Sequence, residues 1–525
     1  MAQNPAFQEA IANGYTFKGQ CIDLGAAMLE GEVYTGTLVK APLKTFNRHG
    51  LIAGATGTGK TKSLQMIAEQ LSQNGVPVLL MDIKGDLSGI ARPGESNPRI
   101  EERAAKTGIP WTPLENPCEL LSISEEPGTR MRATVSEFGP TLLAKVLEVN
   151  DTQAGALSLV FKYADDNNLP LLDLKDLRKT LQYISGDGKK EVENHYGLVA
   201  TASVGAILRN MIAIEEQGAG RFFGEPSFDV EDLMRLDDKG RGMVNIIRLT
   251  DVQSKPRLFS TFMLCLLAEV YEKLPEIGDP DAPELVIFVD EAHLIFREAT
   301  KALLDQLETV IKLIRSKGVG VIFITQNPAD IPNAVLSQLG MKVQHALRAF
   351  TAKDRKDIKA AAENYPLSDF YKTDSLLTEL GIGEALVTVL NEKGIPSPLV
   401  HCMMAAPGSR MDVLTPAEIN AVMEQSQIAA KYNREIDPDS AYEMLTAKME
   451  TVRRQAEEVS REQEEQAAEE AERKRTASGR PRNEKSTLEK VANSSVGRTI
   501  VRELTRGLLG VLGIKSTTRR RKSLF

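Results

Sequence analysis

The chain is poor in several things, and each scarcity removes a class of protein. Its 525 residues include four cysteines, Cys21, Cys118, Cys265 and Cys402, set far apart with no C-x-x-C pair. That spacing fits neither a disulfide framework nor a zinc site and leaves reduced thiols. No uninterrupted apolar run approaches the roughly 20 residues that span a bilayer. The opening MAQNPAFQEAIANGYTFKGQ has no basic start followed by an apolar stretch, so the sequence reads as cytoplasmic, with no membrane contact expected. Positive charge is not in excess: the net charge of −8 excludes a uniformly basic nucleic-acid protein, though not a local basic channel. Aromatic residues make up 5%, which supplies no clear platform for stacking bases. What is present is ordinary for a soluble globular chain. Hydrophobic residues at 42% can bury a sizeable core, and the length suits several domains or one large domain with appendages.

Short continuous β-branched runs alternate with helical stretches. GVPVLLMDIKGDL, RGMVNIIRL, ELVIFVDEAH and GVGVIFITQNP read as strands buried on both faces, with TKSLQMIAEQLSQNG and PRLFSTFMLCLLAEVYEKL as helices between them. This α/β alternation predicts a parallel sheet flanked by helices. Residues 1–45 read as a short β-rich segment (EVYTGTLVKAPL), and residues 46–410 as the core. A mainly helical insertion covers about 91–239. KVQHALRAF reads as a further strand, and GIPSP, within GEALVTVLNEKGIPSPLVHCMMAAP, as a hairpin loop. Residues 411–475 form a helical, charged segment. Tyr442, Leu445, Met449, Val452, Ala456 and Val459 recur at heptad spacing, read as a solvated charged helix ahead of a coiled coil. Residues 476–525 read as a basic flexible tail with a short amphipathic helix, whose apolar face suits packing on the core, a nucleic acid or an anionic surface.

The strongest signal is Gly54-Ala55-Thr56-Gly57-Thr58-Gly59-Lys60-Thr61, a G-x-x-x-x-G-K-[ST] loop after an apolar strand and before a helix. Glycines let backbone N–H groups turn in around phosphate oxygens, and the helix N-terminus adds its positive end. Lys60 suits the β- and γ-phosphates of ATP, and the Thr61 hydroxyl suits Mg²⁺. In LVIFVDEAHLIF, Asp290 ends an apolar strand where it is placed to hold Mg²⁺, and Glu291 suits the general base for an attacking water. His293 reads as a supporting or packing residue. Gln326, ending VIFIT, opens on the same sheet edge and suits a γ-phosphate sensor or water-orienting group. Arg315, closing KALLDQLETVIKLIRSKG, and Arg348, in HALRAF, are rival candidates for an arginine finger reaching a neighbouring subunit's γ-phosphate. Asp82 and Asp86, in MDIKGDL, either support Mg²⁺ or end a solvated strand.

With these residues the chain resembles the HerA–FtsK superfamily of P-loop ATPases, and within it the HerA-like proteins of the bacterial YjgR type. The carrying segments are HGLIAGATGTGKT, VDEAH, the RSKGVGVIFITQNP block and GEALV, spanning about 47–407. The resemblance implies a RecA-like sheet with an extra strand between the phosphate-loop strand and the Asp-Glu strand. It implies a homo-oligomeric ring, often a hexamer, with ATP at subunit interfaces, and translocation on duplex DNA. It assigns nucleotide and Mg²⁺ to Lys60 and Thr61, Mg²⁺ to Asp290, the base to Glu291, the polar sensor to Gln326 and the arginine before that strand to Arg315. HerA helicases also carry a β-barrel ahead of the ATPase, for which the fifty-odd residues before Gly54 leave little room.

The sequence therefore predicts an ATPase that acts as a DNA translocase or helicase-like motor. The other reading is a nucleotide-dependent switch or assembly ATPase, whose tail recruits a protein partner. A GTPase is disfavoured, because Thr351-Ala352-Lys353-Asp354 misses the spacing of a guanine-reading box. The spelling DEAH does not make a two-lobed helicase, since no second lobe with a Q-x-x-G-R-type motif follows.

Overall fold

The structure, a computed structural model, describes residues 4–298 and 301–477. The basic tail and its amphipathic helix lie beyond them, apart from the first two residues of that segment. The chain divides into a body ending at Glu450 and a second unit beginning at Thr451. Twelve strands of the body form one sheet: β1 (Cys21–Leu29), β2 (Glu32–Pro42), β3 (Gly50–Ala53), β4 (Val78–Asp82), β5 (Cys118–Ser122), β6 (Thr129–Arg130), β7 (Val244–Arg248), β8 (Leu285–Val289), β9 (Val319–Thr325), β10 (Met341–Gln344), β11 (Glu384–Thr388) and β12 (Val400–Met404). Their order is β2-β1-β12-β11-β10-β3-β9-β8-β4-β7-β5-β6. From β10 to β6 every pairing is parallel, whereas β10-β11-β12-β1-β2 is an antiparallel flank. Strand β9 lies between the phosphate-loop strand β3 and the Asp-Glu strand β8.

Alternation explains why the strands read as unbroken apolar runs. In β8, Leu285, Ile287 and Val289 enter the core on one face of the sheet, while Val286 and Phe288 enter the core on the other. A strand sends successive side chains to opposite faces, so burial on both sides demands an apolar residue at every position. Helix Lys60–Gln73 covers the second face, with Leu64, Ile67, Ala68 and Leu71. Helix Pro256–Lys273 covers the first, with Phe259, Phe262, Met263 and Leu266.

The segment between β4 and β7 opens with the helix Pro98–Thr107, then adds strands β5 and β6 to the parallel sheet, and is mainly helical from Val135 onward. Its helices start at caps the sequence supplies. Thr134 and Glu137 form a capping box before Val135–Val146, and Asn150 with Gln153 does the same before Asp151–Asp166. Phe138, Leu157, Val160, Leu177, Leu181, Ile207 and Met211 share one core with Phe262 and Leu266, so these helices form a layer on the sheet face. Residues 4–45 include a helix, Pro5–Gly14, and β1 joins the sheet by pairing Gly25 with Met404. KVQHALRAF is a strand only to Gln344. Beyond it the backbone turns to serve the phosphate loop, with Ala346 O accepting from Ala55 N at 2.8 Å. Strands β11 and β12 form an antiparallel hairpin closed by the Leu390–Pro396 bridge.

Helix Ala441–Ala477 begins with Ala441 and Leu445 buried in the body's core. In the second unit Val452 and Val459 are exposed. Among the described residues no helix is long and apolar enough to cross a membrane.

Candidate active site

The parallel strands end on one edge, and register brings their last residues together. Ala53 of β3 pairs with Thr325 of β9, Phe323 of β9 with Val289 of β8, and Val289 with Met81 of β4. The phosphate loop, Gln326, Asp290-Glu291 and the Asp82–Asp86 loop therefore open on this edge in that lateral order. Gly54 N donates to Thr325 O at 3.3 Å, joining the loop to the strand that carries Gln326, which is exposed.

The loop is held from below. His345 is buried, receives Ser63 Oγ within 3.0 Å of its Nε2, and sits 2.8 Å from Glu384 O through Nδ1; burial pushes its pKa down to about 4, so it packs here as a neutral ring. A Cβ on Gly54 would stand 2.6 Å from the His345 Cβ, and Gly54 has φ +150°. On the other flank Gly383 N donates to Thr58 O at 2.9 Å. Thr56 and Gly57 form the exposed tip, and Thr58 Oγ1 donates to Ala55 O at 2.7 Å. Lys60 is the first residue of its helix, and its Nζ donates to Ala55 O at 3.0 Å across the loop. Burial, and then the neighbouring Lys84 charge, hold the Lys60 ammonium below its ordinary pKa.

Opposite the loop stand four acids. Thr61 Oγ1 donates to Asp86 Oδ2 at 3.3 Å. Asp82 is buried and accepts from Gly85 N (2.7 Å), Asp86 N (3.2 Å) and Leu87 N (3.2 Å), which sets the turn carrying Lys84 and Asp86; burial raises its pKa to about 6. Asp290 is pushed by burial up to about 7. Glu291 has φ +45°, the left-handed region, at a cost on the order of 1–3 kcal/mol. Its carboxylate is in ion-pair contact with Lys84 Nζ and lies 3.0 Å from His293 Nδ1.

Asp86 Oδ1, Asp290 Oδ2 and both Glu291 oxygens are buried, and among the described residues none has a partner in hydrogen-bonding geometry, the Lys84 and His293 contacts included. The Asp86 and Asp290 oxygens each cost about 1–3 kcal/mol unless something fills them, whereas the Glu291 oxygens have the Lys84 and His293 contacts. Oxygens from Thr61, Asp86 and Asp290 suit a hard divalent cation. Among the described residues no cluster of three or more acidic, His or Cys side chains could hold a metal alone.

The two arginines part company. Arg315 lies in the turn Ile314–Lys317 ahead of β9, on the opposite sheet edge from its own phosphate loop. The seven residues of β9 separate the two edges by about 20 Å. Arg315 pairs with Asp279 at 3.5 Å. Arg348 follows β10 on the phosphate-loop edge, with Nη1 donating to Thr378 O at 3.0 Å. Lys84 and His345 are site residues that the sequence reading does not single out. Lys84 was findable as the residue two past a strand end beside Asp82; His345, in an apolar strand exit, carried no signal.

Strand order, phosphate loop and a catalytic-type acid pair on one edge define a RecA-like P-loop nucleotide-binding fold with an inserted strand. The chain belongs to the helicase HerA-like C-terminal family, whose profile matches residues 28–519. It is 22% identical over 392 residues to the DNA double-strand break repair helicase HerA of Sulfolobus acidocaldarius, covering 70% of this chain and 68% of that protein. It is 24% identical over 384 residues to the protein of the same name from Sulfurisphaera tokodaii, with 70% and 68% covered. The chain thus spans about two thirds of these relatives' length. Among solved structures it is similar to the bacterial conjugative coupling protein TrwBdeltaN70, with a TM-score of 0.50 and 14% identity over 78% of this chain and 95% of that one. The plasmid coupling protein TrwB in complex with the non-hydrolysable ATP analogue ADPNP also scores 0.50 at 14% identity, covering 78% and 94%. At such identity the likeness is one of fold.

Proposed function

We propose that the chain hydrolyses ATP to ADP and phosphate and that, as a homo-oligomeric and hexameric ring, it uses the cycle to move along duplex DNA. The observation that carries the reading is the meeting, at one sheet edge, of the phosphate loop with buried carboxylate oxygens that lack hydrogen-bond partners. Gly54 to Thr61 cradle the phosphates, and Lys60 neutralises the β- and γ-groups. Thr61 and Asp290, with Asp86 beside them, would hold Mg²⁺, which would offset phosphate charge. Glu291 takes a proton from the attacking water as the oxygen bonds to the terminal phosphorus and the bond to ADP breaks. Gln326 orients that water.

Arg315 serves the neighbouring subunit's site. In support, Arg48, Lys312, Arg315 and Lys342 line a cleft of about 490 Å³ on its edge, where Asp279 pairs with Arg48 and Arg315. Acids gathered on one edge and cations on the other suit head-to-tail association, the geometry that closes rings. The relatives' names, which specify DNA break repair and helicase action, support duplex DNA as the track.

The test is ATPase activity of the purified protein titrated with duplex DNA, single-stranded DNA and RNA, alongside native mass. Lys60→Ala weakens nucleotide binding. Glu291→Gln keeps ATP but loses turnover by on the order of 10²–10⁴-fold. Normal turnover in Glu291→Gln overturns the assigned base; turnover indifferent to DNA, with no salt-sensitive DNA binding, removes the track. One turnover per nucleotide without cycling identifies a switch instead of a motor.

A further inference from the structure

We propose that Lys84 is a positioning residue that clamps Glu291 while the site holds no triphosphate and moves to the terminal phosphate when one arrives. The proposal rests on Glu291 being the base.

Strand β4 lies beside β8, and Asp82 fixes the turn that follows by accepting three backbone N–H groups. Lys84 sits at the apex of that turn and reaches across to Glu291 Oε1. The second oxygen faces His293 Nδ1 at 3.0 Å. The Glu291 side chain is 5% exposed and that of Lys84 33%, so Lys84 is the more solvent-accessible member of the pair. The contact occupies Glu291 Oε1, one of the two oxygens that the base would offer to water. In this arrangement the base is present and withheld.

The release follows from charge. Thr61, next to Lys60, donates to Asp86 on the turn that carries Lys84, so the two lysines flank one small region. A terminal phosphate beside Lys60 brings a stronger, multiply charged acceptor to this region. The lysine stem has four flexible carbons, so Nζ changes partner without moving the Asp82-locked backbone. Glu291 is then free for water only while a terminal phosphate is in place. ADP lacks that phosphate and leaves the clamp closed.

A water-soluble carbodiimide reads this contact directly, because it condenses a carboxyl with a touching amine to an amide, with loss of one water to the reagent. On the full-length wild-type chain, mass spectrometry is expected to find the Lys84–Glu291 cross-link in the nucleotide-free and Mg²⁺-ADP states. Its yield falls several-fold with Mg²⁺ and a non-hydrolysable ATP analogue. Equal yield in all three states makes the pair a static ion pair and overturns the proposal, as does its absence without nucleotide. In parallel, Lys84→Ala lowers kcat about a hundredfold, the scale of removing one donor aimed at developing charge, with the KM for ATP little changed. Lys84→Arg, which keeps the charge, recovers most of that loss; an unchanged kcat in Lys84→Ala overturns the proposal too. Turnover of Glu291→Gln tests the base itself, so failure of the clamp and failure of the base give different results.

Discussion

Replacing Glu69 by glutamine probes how the phosphate-loop helix is tied to the returning chain. The Glu69 carboxylate is buried and accepts from Gly408 N (2.6 Å), Ser409 N (3.1 Å) and Ser409 Oγ (2.7 Å). Gln65, one turn earlier, donates to Ser409 Oγ and Arg410 O at 2.8 Å each. Burial raises the Glu69 pKa from 4.5 to about 7, although these hydrogen bonds pull the other way. Between those values the folded chain binds the proton and the unfolded chain does not, so stability from this group falls as pH rises through the window. Some 2.5 pKa units at about 1.4 kcal/mol each give a decline of about 3 kcal/mol. Glutamine does not titrate, and its amide nitrogen leaves one of the two backbone donors unmet, a cost of about 1–3 kcal/mol at every pH. Glu69→Gln is thus expected to be less stable than wild type at pH 5, and the two should converge or cross by pH 8. Urea unfolding followed by tryptophan fluorescence reports the junction itself, since Nε1 of the single tryptophan, Trp111, donates to Pro407 O at 2.8 Å. Parallel stability curves for the two proteins from pH 5 to 8 would refute the reasoning.

Gly59→Ala should weaken nucleotide binding by tenfold or more, because φ is +116° and a Cβ would meet Gly383 N and Cα at 3.2 Å; together these cost on the order of 1–3 kcal/mol in a loop that Gly383 N pins through Thr58 O. Fluorescent-nucleotide titration checks it, and an affinity within twofold of wild type speaks against the built-in strain. Mixing Lys60→Ala with Arg315→Ala chains should restore ATPase activity that each lacks alone, because a hybrid interface pairs an intact loop with an intact arginine. A mixture with Arg348→Ala should restore nothing, since Arg348 lies on its own loop's edge. Absence of recovery in oligomers shown to be mixed removes Arg315 from the interface.

The parallel strands were legible because burial on both faces writes itself as an unbroken apolar run, as in Leu285–Val289. Strand β5 was not. Glu119 interrupts CELLS, and only the fold shows that this residue is buried and paired with Arg235 at 2.9 Å. The pairing of Gly25 with Met404 also left no local trace, because nearly the whole body separates the two strands. For the site, spacing and strand ends named the phosphate loop and the acids. They could not say which side chains cross between neighbouring strands, which is how Lys84 escaped while Asp82 and Asp86, on the same turn, were noticed.

Adjacent acids at a strand end are common and by themselves mean little. What separates Asp290 from Glu291 is the backbone. Asp290 directly follows β8, and burial holds its carboxyl near neutrality; Glu291 turns left-handed at φ +45°, where glycine or asparagine would sit at less cost. The turn is anchored, because Ala292 N donates to Ile324 O of β9 at 2.9 Å. A strained residue held by its neighbours persists when the surrounding structure over-determines it. Here the strain aims the second carboxylate away from the path of the first, toward Lys84 and His293. The two adjacent acids thereby meet different neighbours, and the proposed roles, cation binding for Asp290 and proton acceptance for Glu291, rest on that separation. The letters after them then matter as well: Ala292 secures the turn, and His293 flanks Glu291.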